Sequence, residues 1–197
     1  TLLARLANVA FAEDPRDRVV FSCNNYAMVV AVLKERGVRG DLEFVTTFEA
    51  LLARQRDAFA DATLDDGLGR LVAFVKKTER DAARLARSKK LQQADADDAV
   101  ASLETLDAAL VEDLAKDFKA TWKHTLERVN AEVLTSFVNF VNGTAVLKQC
   151  LTQFLRYYTR FLDIVRKAWR RPPPFANDLV PTATILAEIK QYSRSFD

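Results

Sequence analysis

The sequence predicts an all-α protein, built as an elongated antiparallel helical bundle. Three observations lead there. Breakers are scarce: the 197 residues hold five Gly and five Pro, and three of the prolines are consecutive, Pro172, Pro173 and Pro174. The remaining residues are rich in Ala, Leu, Arg, Glu and Lys, which favour helix. Apolar residues recur at steps of three and four over long distances, the spacing of one helical face.

Thr1 to Ala12 reads as the end of a helix, and Asp14-Pro15 breaks it, because a residue before proline avoids helical angles. Arg16 to Arg36 forms a strongly apolar helix. Val19, Cys23, Tyr26, Val30 and Leu33 share one face, and Phe21, Met28 and Val32 widen it, so cover on more than one side is expected. Gly37 and Gly40 close it. Asp41 is placed to cap the next helix, which runs to about Ala62 with Phe44, Phe48, Leu51, Leu52, Gln55 and Phe59 in register. Asp65, Asp66, Gly67 and Gly69 predict a turn, after which Leu68, Leu71, Val72 and Val75 start a helix that becomes highly charged by Lys76 to Lys90. Gln92 to Asp98 is polar and acidic.

From Val100 the periodicity is clearest. Leu103, Leu106, Leu110, Leu114, Phe118, Trp122, Leu126, Val129, Val133, Phe137 and Phe140 succeed one another with a mean step of 3.7 residues. That exceeds the 3.5 of a left-handed coiled coil, so a straight or faintly right-handed rod of more than about 55 Å is expected. Asn142-Gly143 then predicts a corner, with Thr144 capping the following helix, and an αα-hairpin results. Leu147, Leu151, Phe154, Tyr158, Phe161, Val165 and Ala168 form the matching face, opposite a polar stripe of Gln153, Arg156, Arg160, Asp163, Lys167 and Arg171. The prolines end this helix, and Asp178 to Ser195 makes the last one. One elongated domain over residues 1–197 is expected, divisible into a short-helix part (1–92) and a long-helix hairpin part (93–197).

Composition excludes several functions. A formal charge of +2 argues against a nucleic-acid binder. The charges are nevertheless segregated: every charged residue from Asp95 to Asp113 is acidic, whereas Lys119 to Arg171 is mainly basic. Cys23 and Cys150, the only cysteines, fall inside helical patterns and read as buried, reduced thiols. No apolar run reaches the ~20 residues of a membrane span. The chain has no initiator Met and opens inside the apolar stretch Leu2 to Phe11, so a segment of a longer protein is expected.

Catalytic constellations are missing from the sequence. The single histidine, His124, sits beside Lys123 on a polar face, so no triad with a second histidine can form, and no close Cys/His spacing suits zinc. There is no Gly-rich phosphate loop. Asp97, Asp98 and Glu104 read as a solvated acidic face. No enzyme and no cofactor are expected. Asn142-Gly143-Thr144 matches a glycosylation sequon, but the cap-and-turn reading fits a helical protein better.

The candidate surfaces are therefore contacts. Asn24 and Asn25 interrupt an apolar helix, where either serves as a polar register pin or a partner contact, or else one bonds a nearby carbonyl and the other is solvated. Asn139, Asn142, Tyr157 and Arg160, near the corner, are expected to be exposed and partner-binding, with Phe137, Phe140 and Phe161 in the core. Arg166, Lys167, Arg170 and Arg171 flank Trp169; they complement a helix C-terminus, or they meet anionic lipid or an acidic partner.

Several stretches resemble one family. SFVNFVNGTAVLKQCLTQFLRYYTRF (136–161) is similar to the C-terminal region of the vacuolar protein sorting-associated protein 52 family, a subunit of the Golgi-associated retrograde protein tethering complex. FSCNNYAMVVAVLKERG, FEALLARQRDAF, GLGRLVAFVKKTE, FKATWKHTLERVNAEVL and the closing TILAEIKQYSRSF resemble further stretches of it in the same order. The resemblance implies a helical rod of the multisubunit tethering type, non-catalytic, acting in endosome-to-trans-Golgi retrograde transport. It implies other subunits of that complex, SNAREs and Rab-type GTPases as partners. It also implies a cytoplasmic protein, peripheral on trans-Golgi network and endosome membranes. The alternative is a peripheral membrane-binding helical module that uses the basic C-terminal face on anionic lipid.

Overall fold

In a computed structural model the described residues are 1–37, 42–88, 106–169 and 171–194. They form six α-helices and no strand: α1 (Leu2–Ala10), α2 (Pro15–Glu35), α3 (Leu42–Ser88), α4 (Ala108–Ser136), α5 (Phe140–Ala168) and α6 (Thr182–Arg194), with a 3-10 turn at Ala176–Asp178. The fold is all-α, as the periodicity predicts. Leu103, Asp41, Gly40, Asp97, Asp98, Glu104 and Arg170 lie outside the described residues.

The helix ends follow local chemistry. Asp14 caps α2: its carboxylate accepts from the backbone N–H of Arg16 and Asp17, and Pro15 takes the first helical position, where its missing N–H costs nothing. Gly37 leaves α2 with φ 56°, the left-handed exit that glycine permits.

Two expected turns are not turns. α3 runs 47 residues without a break through Gly67 and Gly69. The helix bond lost to a glycine is none, and packing decides: a β-carbon at Gly67 would stand 2.7 Å from Thr125 Cγ2, so this glycine serves a close helix–helix approach. The corner also moves. α4 ends at Ser136, residues 137–139 turn, and Asn142, Gly143 and Thr144 lie inside α5. Asn139 is the cap, accepting from Asn142 N–H at 2.9 Å through its side chain and from Gly143 N–H at 2.8 Å through its carbonyl. Thr144 caps nothing; its hydroxyl donates to Phe140 O within the helix.

The chain forms two compact units, Thr1–Leu64 with Glu127–Thr152, and Asp65–Leu126 with Gln153–Ser195. The first buries Tyr26, Val30, Phe48 and Leu52 together, with Leu3, Ala27, Val29, Leu33 and Leu51 packed around them. Phe59 meets Phe137 edge-on at 5.0 Å. Arg16, Thr63 and Glu132 join α2, α3 and α4 by hydrogen bonds, and Arg128 donates to Thr63 O.

The second unit centres on Phe118, which stacks on Tyr158 at 3.9 Å, with Phe154 beside Phe118 and Phe161 beside Tyr158. Tyr158 also donates its hydroxyl to Val180 O at 2.8 Å, tying the segment before α6 to α5. Buried aromatics of this size each contribute on the order of 1.5–3 kcal/mol. The buried face of α4 is the one predicted from Leu114, Phe118, Trp122, Leu126, Val129 and Val133, with Phe137 buried just past its end; Leu110, expected on the same face, is exposed near the start of the helix.

Candidate functional site: an apolar groove with a polar floor

In the first unit, α2, α3 and the 137–139 turn enclose a groove of about 1030 Å³. The α2 wall is Met28, Ala31, Val32 and Glu35; the α3 wall is Glu49, Leu52, Ala53 and Arg56; Val138 and Val141 close one end. Its rim is apolar and open to solvent: Met28 is 62% exposed, Val141 75% and Val138 97%. Isolated exposed apolar side chains are ordinary, but several around one concavity mark a binding surface. The part of the α2 face formed by Met28 and Val32, expected to be covered, is thus left exposed by the described residues, away from the Tyr26–Phe48 core.

Three polar side chains sit at the base. Asn142 Nδ2 donates to Asn24 Oδ1 at 3.1 Å, and Arg56 Nη2 donates to Asn142 Oδ1 at 2.9 Å. Asn24 Nδ2 reaches Ser136 O at 3.5 Å. The chain of bonds links α2, α3, α4 and α5. Arg56 Nε is buried and has no hydrogen-bond partner. Burial holds the guanidinium below its ordinary pKa, opposed by the neighbouring Cys23 sulfur. At the rim, Lys34 pairs with Glu49 at 2.7 Å across the α2–α3 mouth.

The other expected positions separate. Asn25 bonds a nearby carbonyl, donating to Phe21 O one turn back at 2.8 Å. Asn139 is exposed as expected, as a cap. Asn142 and Tyr157 are not exposed surface residues: they are 3% and 5% accessible, since both side chains face neighbouring helices. A glycan has no access to Asn142 there. Tyr157 lies under two cations, Lys76 and Arg160, at 5.4 and 5.2 Å from its ring centre. Arg160 is half-buried and bonds Glu79, Nε to Oε1 at 2.7 Å. Phe137 and Phe161 are core, but Phe140 is exposed, because the earlier turn places it on the first, outward position of α5.

The described members of the basic cluster have separate surroundings. Arg166 pairs with Asp163 at 2.7 Å, and Trp169 packs edge-on against Phe175 at 5.5 Å. Arg171 is exposed and Lys167 half-buried. His124 is exposed on α4. Among the described residues no three His, Cys, Asp or Glu side chains converge as metal ligands, and no helix is long and apolar enough to cross a membrane.

Sequence reasoning missed Arg56, Val138 and Val141. A signal for Arg56 existed: Phe48, Leu52, Arg56 and Phe59 step by four, four and three, so a cation occupies an apolar register. For Val138 and Val141 the signal depended on the turn's position, which the Asn-Gly pair misplaced.

The chain is 34% identical over 182 residues to vacuolar protein sorting-associated protein 52 A of Arabidopsis thaliana, covering 92% of this chain and 23% of the relative. It is 30% identical over 181 residues to the vacuolar protein sorting-associated protein 52 homolog of Homo sapiens, again 92% of this chain and 23% of the relative. With the homolog of Caenorhabditis elegans it shares 22% identity over 195 residues. The chain therefore spans about a quarter of the length of the curated relatives it matches. No family model and no solved structure matches.

Proposed function

The chain belongs to the vacuolar protein sorting-associated protein 52 family, and from that premise we propose that it is a docking segment of a vesicle-tethering subunit. The groove between α2, α3 and the 137–139 turn is its working surface. Its exposed rim of Met28, Val32, Val138 and Val141 is the observation that carries this reading. The role is binding and presentation, without chemistry: stiff helices hold an apolar surface ready for a protein segment. Partners on this reading are other subunits of the complex, SNAREs or Rab-type GTPases, in retrograde transport from endosomes to the trans-Golgi network.

The test uses the full-length protein in cells that lack their own copy. Met28→Asp with Val138→Asp places two carboxylates on solvent-exposed rim positions, which leaves the fold intact. The expected result is normal assembly with the other subunits, measured by co-purification, together with missorting of a vacuolar cargo. Normal cargo sorting by the double variant would remove the groove from the function.

A further inference from the structure

The floor of the groove holds a cation with unmet hydrogen bonding. Arg56 gives one N–H to Asn142 Oδ1, and its Nε, shielded from water, has no acceptor. Among the described residues no carboxylate pairs with it. Arg16, Arg70 and Arg160, by contrast, each bond a carboxylate. A half-buried guanidinium that lines the groove without an anion is an arrangement that a partner's anion improves through the part of it open to the groove, since hydrogen bonds to charged groups are the stronger class and Arg binds carboxylates in a planar, forked geometry.

We propose that the groove receives an amphipathic helix from a partner protein, with its apolar side chains against the Met28–Val32 and Val138–Val141 rims and one carboxylate on Arg56. This deepens the docking reading above and rests on it. A helix is favoured because the walls are helices whose backbone groups are already bonded, so an incoming segment must satisfy its own N–H and C=O groups. The acid is favoured by charge complementarity with Arg56.

The test is competitive selection by the chain from a library of 18-residue helical peptides. All carry a fixed Leu stripe, and one position per peptide on the adjoining face is Glu, Gln, Lys or Ala. With the wild-type chain, Glu should be enriched over Gln about tenfold at one position. With Arg56→Gln that ratio should fall to about one. Because Arg56→Gln can disturb the Asn24–Asn142 bonds, Val138→Asp serves as the second variant, at a nearly fully exposed site, and should lose capture of the whole library. Equal enrichment of Glu and Gln by the wild type overturns the proposal. So does persistence of the Glu preference in Arg56→Gln, unaltered capture by Val138→Asp, capture of no peptide, or occupation of the groove by a second copy, seen as dimers that Val138→Asp dissociates. Cargo missorting by the double rim variant, with Glu and Gln peptides captured equally, would leave the docking reading standing and reject the carboxylate.

Discussion

Gly67 of α3 faces Thr125 of α4 so closely that no side chain fits between them. A β-carbon at Gly67 would lie 2.7 Å from Thr125 Cγ2 and nearer still to the hydroxyl, which itself donates to Thr121 O. Gly69, two residues on, has only the mobile end of Asp65 near it, at 2.9 Å. The two glycines should therefore respond oppositely to alanine. Alanine improves helix propensity by up to about 1 kcal/mol at either site. At Gly67 the overpacking, on the order of 1–3 kcal/mol, outweighs it, so Gly67→Ala should lower Tm by several degrees. Gly69→Ala should leave Tm unchanged or raise it. Adding Thr125→Ala to Gly67→Ala should recover part of the loss; purely additive effects would mean that the clash is not the cause.

The Asn24–Asn142–Arg56 chain gives a second contrast. Asn142→Ala leaves two part-buried groups, Asn24 Oδ1 and Arg56 Nη2, without their shared partner. At about 1 kcal/mol or more for each part-buried unmet group, the variant should lose roughly 2–3 kcal/mol in urea unfolding. Asn25→Ala gives up only a bond to its own helix and should lose less than about 1 kcal/mol. Equal losses would mean the inter-helix bonds do not carry stability.

The thiols set an alkaline limit. Burial pushes Cys23 up to about 12, with Arg56 opposing, and pushes Cys150 up to about 12, with Glu132 adding to it. The unfolded chain loses these protons from about pH 9, whereas the folded chain keeps them until about pH 12. Unfolding thus releases protons in that window. Stability is intact below pH 9 and falls as pH rises, by up to about 1.4 kcal/mol per unit for each thiol. Urea midpoints at pH 8, 9 and 10 measure this. The decline should flatten in Cys23→Ala/Cys150→Ala relative to that variant's own pH 8 value; an unchanged slope would assign the decline to other groups.

Tyr158 separates a hydrogen bond from a ring. Tyr158→Phe removes the bond to Val180 O but keeps the stack on Phe118, and should cost about 1 kcal/mol. Phe118→Ala removes the stack and opens a cavity, and should cost about 3–5 kcal/mol. Thermal unfolding compares them, and equal costs would contradict the stacked core.

Much of the fold was legible because helices are written locally. The three- and four-residue steps through Leu114 to Phe137 and Leu147 to Val165 located two buried faces correctly, since an apolar stripe must find cover in any fold that contains it. Asp14-Pro15 and Gly37 marked true ends, because cap and exit geometry depend on neighbours in sequence. Gly67, Gly69 and Asn142-Gly143 misled for one shared reason. A glycine needed for left-handed backbone and one needed for close packing look identical in sequence, and only the opposing helix distinguishes them.

The candidate site was legible only in fragments. Asn24 drew notice as a polar interruption, but its partners are 118 and 112 residues away in sequence, at Asn142 and Ser136. Met28 and Val32 were visible as a second apolar stripe, while their exposure was not.

The sequence by itself determined that this chain is helical, which faces its long helices bury, and which family it resembles, because periodicity, capping and ordered motifs are properties of neighbouring residues. The tertiary structure alone decided where α4 turns into α5, that Gly67 is a contact, and that Arg56 lies beneath an uncovered apolar rim. Those outcomes depend on which side chains distant segments place opposite one another.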